Sequence, residues 1–173
     1  ASFAKLPYDP HTDLVPITLV TFSAQAIVAH PSLPVKNAKE LVALARSRPG
    51  ELNMGNAGST LPALYFQMQA KLKMENISYK GAGPLMTDLM GGHVQASIVS
   101  VHTSSQAIHS GQLQMLAVMG EERSAAFPKV PTLKELGWPN MVVDTWYGVF
   151  APAGTPPEVV AKINAEINQL LLL

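Results

Sequence analysis

The run ISYKGAGPLMTDLMGGHVQASIV at positions 77–99 carries the clearest pattern of secondary structure in the chain. Ile77–Tyr79 is typical of a strand, and Pro84–Met90 is typical of a helix that ends at a Gly-Gly pair. Gln95–Val99 then predicts a second strand. Strands that alternate with helices of this length predict an α/β fold with a mostly parallel sheet flanked by helices.

The alternation continues in both directions from this run. Upstream, the pattern predicts the strands Ile17–Phe22, Ala26–His30 and Leu52–Asn56. It also predicts a helix that begins at the N-cap Asn37, with Glu40 as its capping-box partner, and ends at Pro49-Gly50. A second helix is predicted from the shared face of Leu61, Leu64, Met68 and Leu72. Downstream, it predicts helix His102–His109, strand Met115–Met119, a short helix Thr132–Leu136, strand Val142–Phe150 and a final helix opened by a capping box at Thr155-Pro156-Pro157-Glu158.

The composition is that of an apolar domain with few charged residues and no net charge. Twelve Lys and Arg balance twelve Asp and Glu, and charged residues make up only 14% of the chain, against about 25% in ordinary soluble domains. A hydrophobic content of 47% argues against disorder. A nucleic-acid partner is not expected, because the chain has neither a net positive charge nor a run of Lys and Arg.

Three polar loops follow predicted strands. Ligands of α/β sheets bind beyond the carboxyl ends of the strands, where glycines let the backbone approach and helix N-termini attract anions. Each loop also has an ordinary explanation, namely a tight turn, a solvated lysine or simple helix capping. Together the loops favour a small carboxylate or another anion. The candidate ligand-binding residues are Ala57, Gly58, Ser59, Thr60, Tyr79, Lys80, Gly81, Ser100 and Thr103.

No metal, cofactor or catalytic site is predicted. The chain has no cysteine, and His102 and His109 are too far apart in sequence for the usual helical metal pair. Sequence patterns of a serine nucleophile elbow, a dinucleotide-binding loop and a phosphate-binding P-loop are all missing.

Motifs along nearly the whole chain resemble one known family. They include Leu6-Pro-Tyr-Asp-Pro10, His30-Pro-Ser-Leu-Pro-Val35, Tyr79-Lys-Gly81 followed by Leu85-Met-Thr-Asp-Leu-Met-Gly-Gly92, Trp146-Tyr-Gly148 and Ala151-Pro-Ala-Gly-Thr-Pro156. In these positions the sequence is similar to the substrate-binding proteins of tripartite tricarboxylate transporters, also called Bug receptors.

The resemblance implies a periplasmic receptor of the type II periplasmic-binding-protein fold. Two α/β domains would close on a small organic carboxylate, and the receptor would pass it to membrane transporter subunits without catalysis, cofactor or metal. Residues 1–22 would be an incoming segment that crosses from the first domain, 23–143 the second domain, and 144–173 a returning strand and helix of the first domain. Family members are longer, so the chain is expected to be a fragment that lacks most of the first domain and the C-terminal end. No signal peptide is read at its N-terminus.

Two departures from the family pattern bear on the ligand. Val99 and Ser100 stand where the family commonly has Asp-Asn, and the segment Ser59-Thr60-Leu61-Pro62 is shorter than usual. An altered ligand preference is therefore expected. A ligand-sensing module would use the same cleft and stays an alternative, as does an α/β enzyme that uses Ser59 or Lys80.

Overall fold

The computed structural model describes residues 6–172, which form two compact units. One unit comprises residues 6–22 and 145–172, and the other comprises residues 23–144. The predicted N-terminal and C-terminal segments include residues 1–5 and Leu173, which lie outside the described part.

The described residues contain strands and helices in regular alternation. In chain order they are β1 (Leu14–Ala29), α1 (Ala38–Ser47), β2 (Asn53–Ala57), α2 (Leu61–Ala70), β3 (Glu75–Tyr79), α3 (Ala82–Met90), β4 (Ala96–Ser100), α4 (Val101–His109), β5 (Gln114–Val118), β6 (Asp144–Pro152) and α5 (Pro157–Leu171).

The larger unit is built on a mixed sheet of order β3-β2-β4-β1-β5. β2 pairs in parallel with β3 and with β4. β1 lies between β4 and β5 and is antiparallel to both, with Ile27 opposite Ile98 on one side and Ala117 on the other. Four strands therefore run in one direction and β1 alone runs against them, so the sheet is mostly parallel.

Helices cover both faces of this sheet. Along β1, Ile27 and Ala29 belong to one apolar cluster, whereas Ala26 and Val28 belong to the other. The first cluster includes Leu41 of α1 and Phe66 of α2. The second includes residues of α3 and α4. A strand buried on both faces reads as a continuous apolar run, and Ala26–Ala29 has this character.

The smaller unit combines the first part of β1 with β6 and α5. Asn164 of α5 donates from Nδ2 to the carbonyl oxygen of Ile17 at 2.6 Å, and Thr18 Oγ1 lies 3.2 Å from Asn168 Oδ1. Among its described residues only Ile17 and Ala151 are buried, and α5 buries none.

Several predicted elements are confirmed within one or two residues. Asn37 caps α1 by accepting from the backbone N–H of Glu40 at 3.0 Å. Glu40 in turn accepts from the Asn37 side-chain amide at 2.9 Å and from the backbone N–H of Lys36, the residue before the cap, at 2.8 Å. Met90 ends α3 beside Gly91 as expected, but this helix begins at Ala82, so Pro84 is its third residue rather than its first.

Three predicted features are wrong. The two strands Ile17–Phe22 and Ala26–His30 are parts of one strand, because no glycine or proline interrupts residues 17–29. Thr132–Leu136 forms a hydrogen-bonded turn, which Gly137 at φ +103° and the following Pro139 end before a helix can form.

The capping box of the last helix is also absent. Pro156 occupies the N-cap of α5, and Thr155 Oγ1 donates instead to the carbonyl oxygen of Pro152 at 2.7 Å. Across the described residues, no helix combines the length and apolar character needed to span a bilayer.

Candidate ligand-binding site

The three predicted loops gather at one edge of the larger unit. β2, β3 and β4 are parallel, so their carboxyl ends lie on the same side of the sheet. Ala57 is opposite Tyr79 in the β2–β3 register, and Ser100 is opposite Gln25 of β1. The described backbone therefore brings the candidate residues to a shared edge.

The first loop joins β2 to α2 through a tight turn. Gly58 has φ +76°, a conformation that favours glycine, and a Cβ atom there would meet no neighbour within 4 Å. Ser59 Oγ accepts from Leu61 N at 3.3 Å, and Thr60 holds the N-cap position without a side-chain capping bond. The helix N-terminus therefore faces the edge with its positively polarised end and no side-chain acceptor at Thr60.

The second loop joins β3 to α3. The Tyr79 hydroxyl donates to Asp88 Oδ2 of α3 at 2.8 Å. Burial of the phenol and the neighbouring Asp88 carboxylate raise the pKa of Tyr79. Lys80 is exposed, and Gly81 is the N-cap of α3 without a side-chain capping bond. At α3, as at α2, the N-cap residue therefore makes no side-chain bond to the backbone N–H groups of the first turn.

In the third loop the hydroxyl groups already have partners. Ser100 Oγ accepts from Thr103 N at 3.2 Å and lies 2.7 Å from Thr103 Oγ1. Ser100 is therefore the N-cap of α4, which is the ordinary capping explanation of this pair.

Sequence reasoning missed other residues at this edge. Gln25 N donates to the carbonyl oxygen of Val143, Met119 N donates to that of Gln25, and Val143 N donates to that of Met119. Met119, which directly follows β5, and Val143 therefore lie at the same edge. The predicted strand Met115–Met119 was the available signal, because parallel strands end together.

An apolar groove begins directly beside the first loop. Leu61, Leu64 and Met68 follow one face of α2, and their residues are 61%, 48% and 66% exposed. The sequence places these leucines and Met68 on a shared apolar face, which suggests burial, but the helix packs through its opposite side. The groove has a volume of about 460 Å³ and is lined by Leu61, Pro62, Leu64, Tyr65, Met68 and Val143.

A buried amide network supports α2 from behind. Asn76 Oδ1 accepts from Asn56 Nδ2 at 3.0 Å and from Gln67 Nε2 at 3.1 Å. Gln67 Oε1 accepts from Met74 N at 2.9 Å. The network joins β2, α2 and β3, so it fixes the helix that carries the first loop.

Two positions next to the loops belong to the sheet. Gly55 lies inside β2, as its place in the predicted strand Leu52–Asn56 implies, and a Cβ atom there would come within 2.3 Å of Leu85 Cδ1. Val99 packs in the apolar cluster with Leu85 rather than facing the edge. An aspartate at position 99 would therefore be buried among apolar side chains.

Within residues 6–172, no group of three or more histidine, aspartate or glutamate side chains could hold a metal ion.

Known proteins match this chain over almost its full length. The profile described as tripartite tricarboxylate transporter family receptor matches residues 1–171. The protein BugT of Bordetella pertussis is 37% identical over 171 residues, which cover 96% of this chain and 52% of BugT. The chain thus spans about half the length of the relatives that it matches.

Solved structures give the same result. Rpa4515 of R. palustris with adipate is 31% identical at a TM-score of 0.92, covering 95% of this chain and 56% of that one. MatC of Rhodopseudomonas palustris with bound malate is 30% identical with a TM-score of 0.89, and the match covers 96% of this chain and 58% of MatC. The periplasmic binding protein BugD is 32% identical with a TM-score of 0.88, and the match covers 95% of this chain and 56% of BugD. The fold is that of periplasmic binding proteins, and the chain belongs to the tripartite tricarboxylate transporter receptor family.

Proposed function

We propose that this chain is the ligand-capturing part of a periplasmic solute-binding receptor that delivers a small organic carboxylate to membrane transporter subunits. The adipate and malate in the related structures support a carboxylate ligand. The receptor performs no catalysis and needs no cofactor or metal for this role.

One observation carries the proposal, namely the gathering of the three loops at one sheet edge. The N-termini of α2 and α3 both point their positively polarised ends there. The N-cap residues Thr60 and Gly81 make no side-chain capping bond, and at α2 only Ser59 Oγ accepts from a backbone N–H of the first turn, that of Leu61. Exposed Lys80 adds a positive charge. A carboxylate bound here would contact Ala57, Gly58, Ser59, Thr60, Tyr79, Lys80, Gly81, Ser100 and Thr103.

The proposal also assigns the domains. Residues 1–22 and 144–173 would belong to a first domain, and 23–143 would form the second. The separation of the described residues into two units, together with a β1 strand that has residues in both, supports this division.

The test is thermal unfolding of the 173-residue chain with and without malate or adipate. A ligand that binds only the folded state raises the Tm with the logarithm of its concentration. We expect a rise that Lys80→Ala reduces, while Lys73→Ala leaves it unchanged, because exposed Lys73 precedes β3 and so lies at the opposite end of that strand from Lys80. If no carboxylate raises the Tm of the folded chain, these loops do not hold the ligand.

A further inference from the structure

We propose that the ligand is a carboxylic acid with a hydrocarbon body, and that this body lies in the apolar groove along α2. The inference rests on the proposed function, because it takes residues 57–60 as the place where the carboxylate binds. It narrows the proposed ligand class from small carboxylates in general to those with an apolar chain next to the bound carboxylate.

The groove opens at the candidate carboxylate loop. Leu61, its first lining residue, directly follows Thr60. On the other wall, Val143 is hydrogen-bonded through its backbone to Gln25 and Met119 at the same edge. From Leu61 to Met68 the helix advances about 10 Å. A ligand anchored at the loop therefore has a continuous apolar path along the helix.

The walls of the groove offer no hydrogen-bonding partner to a second polar group on the ligand. None of the six lining residues carries a charge. The hydroxyl of Tyr65, their only polar side-chain group, donates to the carbonyl oxygen of Asn140 at 2.9 Å. A carboxylate or hydroxyl placed here would lose water without gaining a partner, which costs free energy.

The unit does not need this surface for its own core. α2 packs against the sheet through Ala63, Phe66 and Ala70, which are fully buried. The opposite face is left uncovered within the unit, and the groove along it has a volume of about 460 Å³, which suits a small molecule. A positively polarised helix end beside an uncharged groove is complementary to an anion with an apolar tail.

The test measures the Kd of straight-chain monocarboxylates, from propanoate to octanoate, for the 173-residue chain by isothermal titration calorimetry. We expect affinity to rise about fourfold with each added methylene group that is buried in the groove. Leu64→Gln and Met68→Gln change exposed side chains, so folding should be retained. Each should weaken octanoate about tenfold and leave propanoate unchanged.

Met68→Leu, which keeps the wall apolar, and Leu170→Gln, which changes an exposed leucine of the other unit, serve as controls and should behave like the parent chain. If propanoate binds but chain length has no effect, the groove proposal fails and the proposed function stands. If no monocarboxylate, malate or adipate binds, both fail. A dimer in sedimentation that Leu64→Gln dissociates would show that a second copy covers the groove, and would also overturn the proposal.

Discussion

Gly55 allows α3 to lie close against β2. A Cβ atom at this position would come 2.3 Å from Leu85 Cδ1 and 3.2 Å from Val94 Cγ2. Leu85 is fully buried and Val94 nearly so, and neither has room to move. We expect Gly55→Ala to lower the free energy of unfolding by about 1–3 kcal/mol, as overpacked cores do. Urea unfolding measures the change.

Gly83→Ala is the matched control for this prediction. Gly83 lies in the first turn of α3, and a Cβ atom there would meet nothing within 4 Å. Alanine in a helix should be neutral or more stable by up to about 1 kcal/mol. Equal effects of the two substitutions would show that close packing at Gly55 is unimportant.

Because of Tyr79, the folded chain is expected to lose stability at alkaline pH. Its pKa is raised in the folded chain, so the unfolded chain ionises first, near the ordinary value of about 10. The stability that this difference supplies is complete below pH 10 and is lost as the pH rises towards the folded pKa. We expect Tyr79→Phe to destabilise the chain at pH 7, and the gap from the parent chain to shrink above pH 10.

Urea unfolding between pH 7 and pH 11 checks this prediction. Tyr147→Phe, at an exposed tyrosine, is the control. The difference in unfolding free energy between this variant and the parent chain should change little over this pH range. A gap for Tyr79→Phe that stays constant with pH would contradict the role assigned to its hydroxyl.

At the scale of single elements, α2 depends on a buried glutamine. Gln67 is 8% exposed and bonds with both ends of its amide, to Met74 N and Asn76 Oδ1. Gln67→Leu would leave the Met74 N–H without a partner, and we expect a loss of about 1–3 kcal/mol in unfolding free energy. Thermal unfolding, compared with the exposed neighbour Gln69→Leu, measures it. Similar results for both variants would exclude a structural role for the network.

The sequence was sufficient to predict elements whose signals are local. Asn37 and Glu40 are close in sequence and bond to each other or to adjacent backbone, so the start of α1 was predictable. The turn at 132–135 carries a similar pair of reciprocal bonds, Glu135 N to Thr132 Oγ1 and Thr132 N to Glu135 Oε2, but no helix follows it. Such a pair begins a helix only where the following residues can continue it.

Which face of a helix is buried depends on tertiary packing. The pattern of Leu61, Leu64 and Met68 predicts an apolar face but does not say whether the sheet covers it, and here the sheet covers Ala63 and Phe66 instead. The candidate loops were located because parallel strands end at one edge. Gln25 was missed because β1 runs against its neighbours, and direction cannot be read from the composition of a strand.

At the scale of the whole chain, the two units differ sharply in burial. Both apolar clusters lie within residues 23–144, whereas α5 buries none of its residues. We expect amide hydrogens of Ala26–Ala29 and of β5 to exchange much more slowly than those of α5, because local opening is easiest where few apolar contacts are broken. Mass spectrometry of deuterated peptides measures this, and equal protection in α5 would contradict it.

The central position of β1 also sets an order for folding during synthesis. Ile27 is made well before its partners Ile98 and Ala117, which lie far towards the C-terminus. Until the ribosome has released β5, residues Ala26–Ala29 of β1 have no neighbouring strand on the edge that β5 occupies in the folded chain. Unpaired apolar strands recruit other chains, so a nascent chain halted before residue 114 should aggregate or require a chaperone, although most of its sheet has already been translated.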